Sequence, residues 1–168
     1  MALSDTSVSL AVRAALSYSG DLASARSDLS FVRSVSLANG TGASQVDKIY
    51  SDTNTLGASA TLDLDLAGAL TDILGVALTF VKVKGIFVST APGNTNNVVM
   101  GAAAANQFVG PFGAATHTIA VPPGQLFAIT NSGAGWVVTA ATGDLLRFAN
   151  SGAGTSVTYD VAILGTSA

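Results

Sequence analysis

Between Val8 and Tyr18 every second residue is apolar or small. Val8, Leu10, Val12, Ala14, Leu16 and Tyr18 share one parity, and Ser7, Ser9, Ala11, Arg13, Ala15 and Ser17 share the other. Successive side chains of a strand point to opposite faces, so this alternation specifies a half-buried strand and excludes a helix, whose apolar stripe recurs every three to four residues. After a break at Gly20-Asp21 the pattern returns with Leu29, Phe31, Val35 and Leu37, interrupted by Arg33. Asn39-Gly40-Thr41-Gly42 then closes it as a turn. Two alternating strands around a loop predict a long hairpin or extended arm. A lone two-stranded hairpin is marginal in water, so this one must lie on something.

Further along, the strand signals shorten and quicken. Leu62, Leu64 and Leu66 alternate with Asp63 and Asp65; Leu78 to Val88 is rich in Val, Phe and Ile; Val98 to Met100 and His117 to Val121 are brief strands. Pro92-Gly93-Asn94 and Pro122-Pro123-Gly124 punctuate them. Short strands at regular spacing between such turns point to a sandwich or barrel. Asp65 to Leu74 admits one short helical turn. A segment beginning Gly124-Gln125-Leu126-Phe127 and ending Asn131-Ser132-Gly133-Ala134-Gly135 recurs as Gly143-Asp144-Leu145-Leu146 to Asn150-Ser151-Gly152-Ala153-Gly154, and each copy runs on to a Val-Thr pair. This reads as two consecutive β-hairpins, forming a meander or half of a jelly roll. The expected architecture is all-β: an antiparallel β-sandwich, jelly-roll-like, over residues 56–168, with an extended N-terminal β-hairpin arm over residues 1–55.

Composition closes off most chemistry. The chain has no Glu and only 10% charged residues, which argues against a helical bundle. With no Cys and one His, thiolate nucleophiles, disulfides and multi-histidine metal centres are excluded. A net charge of −3 gives no basic footprint for nucleic acid. Met1 to Leu10 lacks the basic and apolar regions of a signal peptide, and no apolar run is long enough for a membrane helix, so synthesis in the cytoplasm is expected without membrane partners. Yet mean hydropathy is +0.52. A surface so poor in charge is best explained by burial against other subunits, with a homo-trimer as the expected assembly.

The remaining chemical candidates are weak. His117 lies between two threonines with no triad spacing around it, which favours a structural role. Asp63, Asp65 and Asp72 lack a calcium-loop pattern and read as a solvated strand face. The Gly-Ala-Gly loops open no helix and carry no Gly-Lys-Ser/Thr, so turn chemistry accounts for them. Trp136 follows one of these loops and is expected to anchor the core or a subunit interface. No catalytic, cofactor or metal residues are assigned. The expected interface residues are Val8, Leu10, Val12, Leu16, Tyr18 and Trp136.

One stretch, Ser36-Leu37-Ala38-Asn39-Gly40-Thr41-Gly42-Ala43 followed by Asp47-Lys48-Ile49-Tyr50-Ser51-Asp52-Thr53, resembles a pattern in tailed-bacteriophage structural proteins. So do Asp63-Leu64-Asp65-Leu66-Ala67-Gly68, Gly93-Asn94-Thr95-Asn96-Asn97-Val98-Val99 and Thr142-Gly143-Asp144-Leu145-Leu146. The resemblance implies a small β-rich virion component without catalytic activity. The favoured expectation is a capsid decoration (cement) protein, whose partners are copies of itself and the phage major capsid protein or other virion proteins. The alternatives are a tail, baseplate or neck component, or a carbohydrate- or receptor-binding module using Trp136, Asn131 and Asn150.

Overall fold

A computed structural model describes residues 3–68 and 70–168; Met1, Ala2 and Ala69 lie outside the described residues. The N-terminal alternation forms β1 (Thr6–Ser19) and β2 (Ser24–Asn39), an antiparallel ribbon in register from Thr6↔Leu37 to Ser19↔Ser24. A tight turn leads to β3 (Gln45–Val46), which runs parallel to the end of β2, and then to β4 (Lys48–Leu56). There follow β5 (Thr61–Asp65), the small hairpin of β6 (Leu70–Thr71) and β7 (Ala77–Leu78), and β8 (Lys82–Thr90). The chain continues through β9 (Val98–Gly101), β10 (Thr118–Val121), β11 (Leu126–Thr130), β12 (Trp136–Val137), β13 (Leu145–Asn150) and β14 (Val157–Thr166).

Nine of these strands form the two sheets of an antiparallel sandwich. One sheet has the order β10-β9-β13-β5 and the other β11-β8-β14-β4, with β12 also on β8. Each sheet turns its apolar parity inward. From β14 come Val157, Tyr159, Val161 and Ile163, from β13 Leu146 and Phe148, from β8 Ile86 and Val88, and from β9 Val98 and Met100, all at most 2% exposed. Phe148 and Tyr159 stack across the interior with ring centroids 4.8 Å apart. At the rim, Gly165 sits where β14 slips register against β8, so close to Phe80 and the Lys82 carbonyl that no side chain fits.

Three expectations change. First, the sandwich begins at β4, not at residue 56: Lys48–Leu56 pairs along the whole of β14, so the projecting arm is only Thr6–Asn39. On β4 the buried Tyr50 and Leu56 share their parity with the exposed Asp52 and half-buried Asn54, a run too polar to register as a core parity. Second, the expected helical turn near Asp65 is a plain turn at 66–68 leading into β6. Third, the repeat does not make two hairpins. β11 and β12 both pair with β8, so the first Asn-Ser-Gly-Ala-Gly segment is an excursion within one interrupted edge strand. In the second copy the same word carries the chain from β13 in one sheet to β14 in the other.

Candidate interaction surface

The ribbon is fastened to the sandwich only at its root. Leu37, Val46 and Leu164 are buried together, with Leu3, Val8 and Phe87 packed against them. From Ser9 to Ser19 and from Ser24 to Ser36 every residue is exposed. The free part comprises ten residue pairs, Leu10↔Arg33 to Ser19↔Ser24. At 3.2–3.4 Å per residue it projects about 33 Å.

Residues directly opposite on an antiparallel pair share a face. The register therefore collects Val8/Val35, Leu10/Arg33, Val12/Phe31, Ala14/Leu29, Leu16/Ser27 and Tyr18/Ala25 on one side, and Ser7/Ser36, Ser9/Ser34, Ala11/Val32, Arg13/Ser30, Ala15/Asp28 and Ser17/Arg26 on the other. The first side is an apolar face in which Leu10, Val12, Leu16, Tyr18, Leu29, Phe31 and Val35 are 39–76% exposed. Its single charge, Arg33, stacks on Phe31 with its guanidinium carbon 4.5 Å from the ring centroid and donates to the Val32 carbonyl at 2.8 Å. Arg26 and Asp28 pair at 2.8 Å on the opposite, polar face.

Five of the six expected interface residues thus lie on one face. Trp136 does not join them: it is half-buried on β12 and packed against the sandwich core. The two asparagines proposed alongside it for sugar binding occupy different settings. Asn150 is buried, and its amide donates to the carbonyls of Leu56, Gly57 and Thr155. Asn131 is half-buried at the start of the excursion beside β8, its backbone N–H donating to the Lys84 carbonyl at 2.9 Å.

The residue that composition and alternation did not single out is Lys84. In sequence it alternates with valines as though solvated, yet it is 2% exposed. Its ammonium donates to the carbonyls of Gly133, Ser132 and Gly42, the last at 3.3 Å, while the Ser44 N–H donates to the Ser132 carbonyl. Burial, with the charge of Lys82 adding to it, pushes the Lys84 pKa down. Gly135, at φ +75°, lets the excursion close over the lysine stem, where a side chain would crowd Lys84 and the Val83 carbonyl. Lys84 therefore ties the turn at the ribbon's root to the central strand β8. The only sequence signal for this is that the two segments facing it, Gly40-Thr41-Gly42 and Ser132-Gly133-Ala134-Gly135, offer little but backbone carbonyls.

The remaining candidates are engaged separately. Asp63 receives a bidentate ion pair from Arg147, both contacts 2.7 Å, which raises the Arg147 pKa. Asp65 accepts from the Ala67 N–H, and Asp72 closes its own turn by accepting from Leu74 and Val76. Among the described residues no three His, Cys, Asp or Glu side chains gather to hold a metal ion. His117 is exposed and its Nδ1 lies 2.8 Å from the Phe112 carbonyl. No helix of the described residues is long and apolar enough to cross a membrane. No family model matches this chain, and a search of the curated proteins returns no match.

Proposed function

We propose that this chain is a non-enzymatic structural protein of a tailed-phage virion, a capsid decoration protein that stabilises the head through subunit contacts made by its ribbon. The observation that carries this reading is the ribbon itself: about 33 Å of amphipathic β-structure with its apolar face bare, rooted by a buried lysine in a well-packed sandwich. An exposed contiguous apolar surface of this kind marks an interaction site. We also read the strand order, β4-β14-β8-β11 facing β5-β13-β9-β10, as a jelly roll, an arrangement that recurs in viral capsid and lectin domains. The capsid side of that comparison is favoured over the lectin side because Trp136 and Asn150, which would have to meet a sugar, are engaged in the fold.

The test is a copy number. Particles of the phage encoding this chain, purified on a density gradient and analysed by quantitative mass spectrometry, should contain it in the hundreds of copies, on empty heads as well as on complete virions. A few copies, confined to tails, would move the protein to the neck, tail or baseplate. Its absence from particles would end the virion reading.

A further inference from the structure

The ribbon has two unmet needs, an uncovered apolar face and two unpaired edges. Among the described residues the outer edge of β1 pairs with nothing along its 14 residues, and that of β2 meets β3 only at Ala38 and Asn39. An edge strand turns about half of its backbone N–H and C=O groups outward, and a long, flat, apolar edge is a template for another strand. The face leaves Leu10, Leu16, Tyr18 and Leu29 more than half exposed in one contiguous apolar stripe, the kind of surface that marks an interaction site.

We propose that three copies of this chain close their ribbons into a six-stranded antiparallel barrel, β2 of each copy pairing with β1 of the next and the apolar faces turned inward. The proposal rests on the reading of the ribbon as an assembly device and adds the partner and the geometry. One symmetry operation meets both needs. Because β1 and β2 run in opposite directions, rotation about an axis along the ribbon brings β2 of one copy beside β1 of its neighbour in antiparallel sense, and a ring closes without leaving an edge.

The row composition favours three. Small barrels fill their interiors with side chains that alternate large and small. Here Ala14/Leu29, Leu16/Ser27 and Tyr18/Ala25 each place one large and one small residue on the inward face, so every such row of a ribbon pairs large with small. A barrel of about eight strands has an interior just wide enough for side chains to fill; rows in which half the members are Ala or Ser suit a narrower, six-stranded one. Four strands would leave no room for Leu16, Phe31 and Tyr18. Arg33 sits in the second row from the root, where a long stem carries its charge towards the open end.

The test uses the full-length chain. Sedimentation equilibrium at micromolar concentration should give three times the 16.6 kDa chain mass, and hydrogen exchange should protect both the inward- and outward-directed amides from Leu10 to Tyr18 and from Ala25 to Val35. Leu16→Asp should raise the trimer dissociation constant at least a hundredfold, while Ser17→Asp, one residue away on the other face, should leave it within threefold. A monomer, a dimer or a larger ring overturns the proposal. So does fast exchange at alternate amides of β1, which would mean that arms meet by faces without pairing edges, even if Leu16→Asp proves unable to fold. Equal effects of the two substitutions would also overturn it. Particle copy number is read independently, so the barrel can fail while the virion reading stands.

Discussion

β1 and β14 are written in the same alternation and meet opposite fates. On β14 the inward residues Val157, Tyr159, Val161 and Ile163 are at most 2% exposed, whereas on β1 Leu10, Val12, Leu16 and Tyr18 are 46–76% exposed. The difference lies in what stands opposite. β14 has β8 and β4 at its edges and the second sheet over its face, while β1 has β2 at one edge and, among the described residues, nothing over its apolar face beyond Val8. A period of two thus specifies that a face will be covered without specifying by what. In this chain the cover is intramolecular for the sandwich, and for the ribbon the proposed assembly would supply it.

The contrast can be broken at its strongest point first. Phe148→Ala removes a fully buried ring and its stack with Tyr159, and should cost about 3–5 kcal/mol in urea denaturation. Alkaline pH attacks the same region. Burial, then the nearby Asp52 carboxylate, pushes the Tyr50 pKa up to about 12 from its ordinary 10.0, and Tyr159 is raised by burial as well. A raised tyrosine pKa leaves stability unchanged below pH 10, where both folded and unfolded chains hold the proton. Above it the unfolded chain releases the proton first, so stability falls between pH 10 and 12, by about 3 kcal/mol for Tyr50 alone. Thermal melts across that window, repeated with Tyr50→Phe, should show the slope and its reduction.

At the boundary between the two regions, Lys84→Met keeps the stem and takes the ammonium from three carbonyls, of which, among the described residues, only that of Ser132 keeps another donor, the Ser44 N–H. It should destabilise the chain by about 2 kcal/mol and speed amide exchange at residues 40–46 and 131–135 above all. Unchanged exchange there would show that the apolar root cluster holds the ribbon alone. The smallest effect belongs to the ribbon: Leu16→Ala, at a site 76% exposed, should leave the unfolding free energy of the dilute, unassembled chain within about 0.5 kcal/mol of the parent. A loss as large as that of Phe148→Ala would mean that Leu16 is covered within one chain, and the distinction between the regions would fall.

The ribbon was legible in the sequence because both of its strands alternate over nine or more residues, with Arg33 the one charged interruption. The all-β sandwich was legible because Gly, Pro and Asn punctuate the short strands. The repeat misled for a physical reason: Asn-Ser-Gly-Ala-Gly has too few side chains to dictate its own path, so its surroundings do. Lys84 reaches into the first copy and holds it as an excursion beside β8, whereas in the second copy the Asn150 amide grips Leu56, Gly57 and Thr155 and sends the chain across to the other sheet. Nothing local marks Lys84, because its burial is created by segments 42 and 48 residues away in sequence. β4 reads as part of the arm because Asp52 and Asn54 place polar groups on the parity of its buried Tyr50 and Leu56.

The lysine at the root also decides how the molecule would bear a pull. Force applied at the tip of the ribbon travels down β2 to the turn held by Lys84 on β8, and through β3 to Asp47, whose N–H is bonded to Gly165 on β14. Tension therefore reaches the two central strands, which share eight paired positions, as well as the outer strand β4, into which the chain runs directly and which is paired along β14. Loaded along their length, those hydrogen bonds resist together as a lap joint does. The ribbon is anchored as a tether would be.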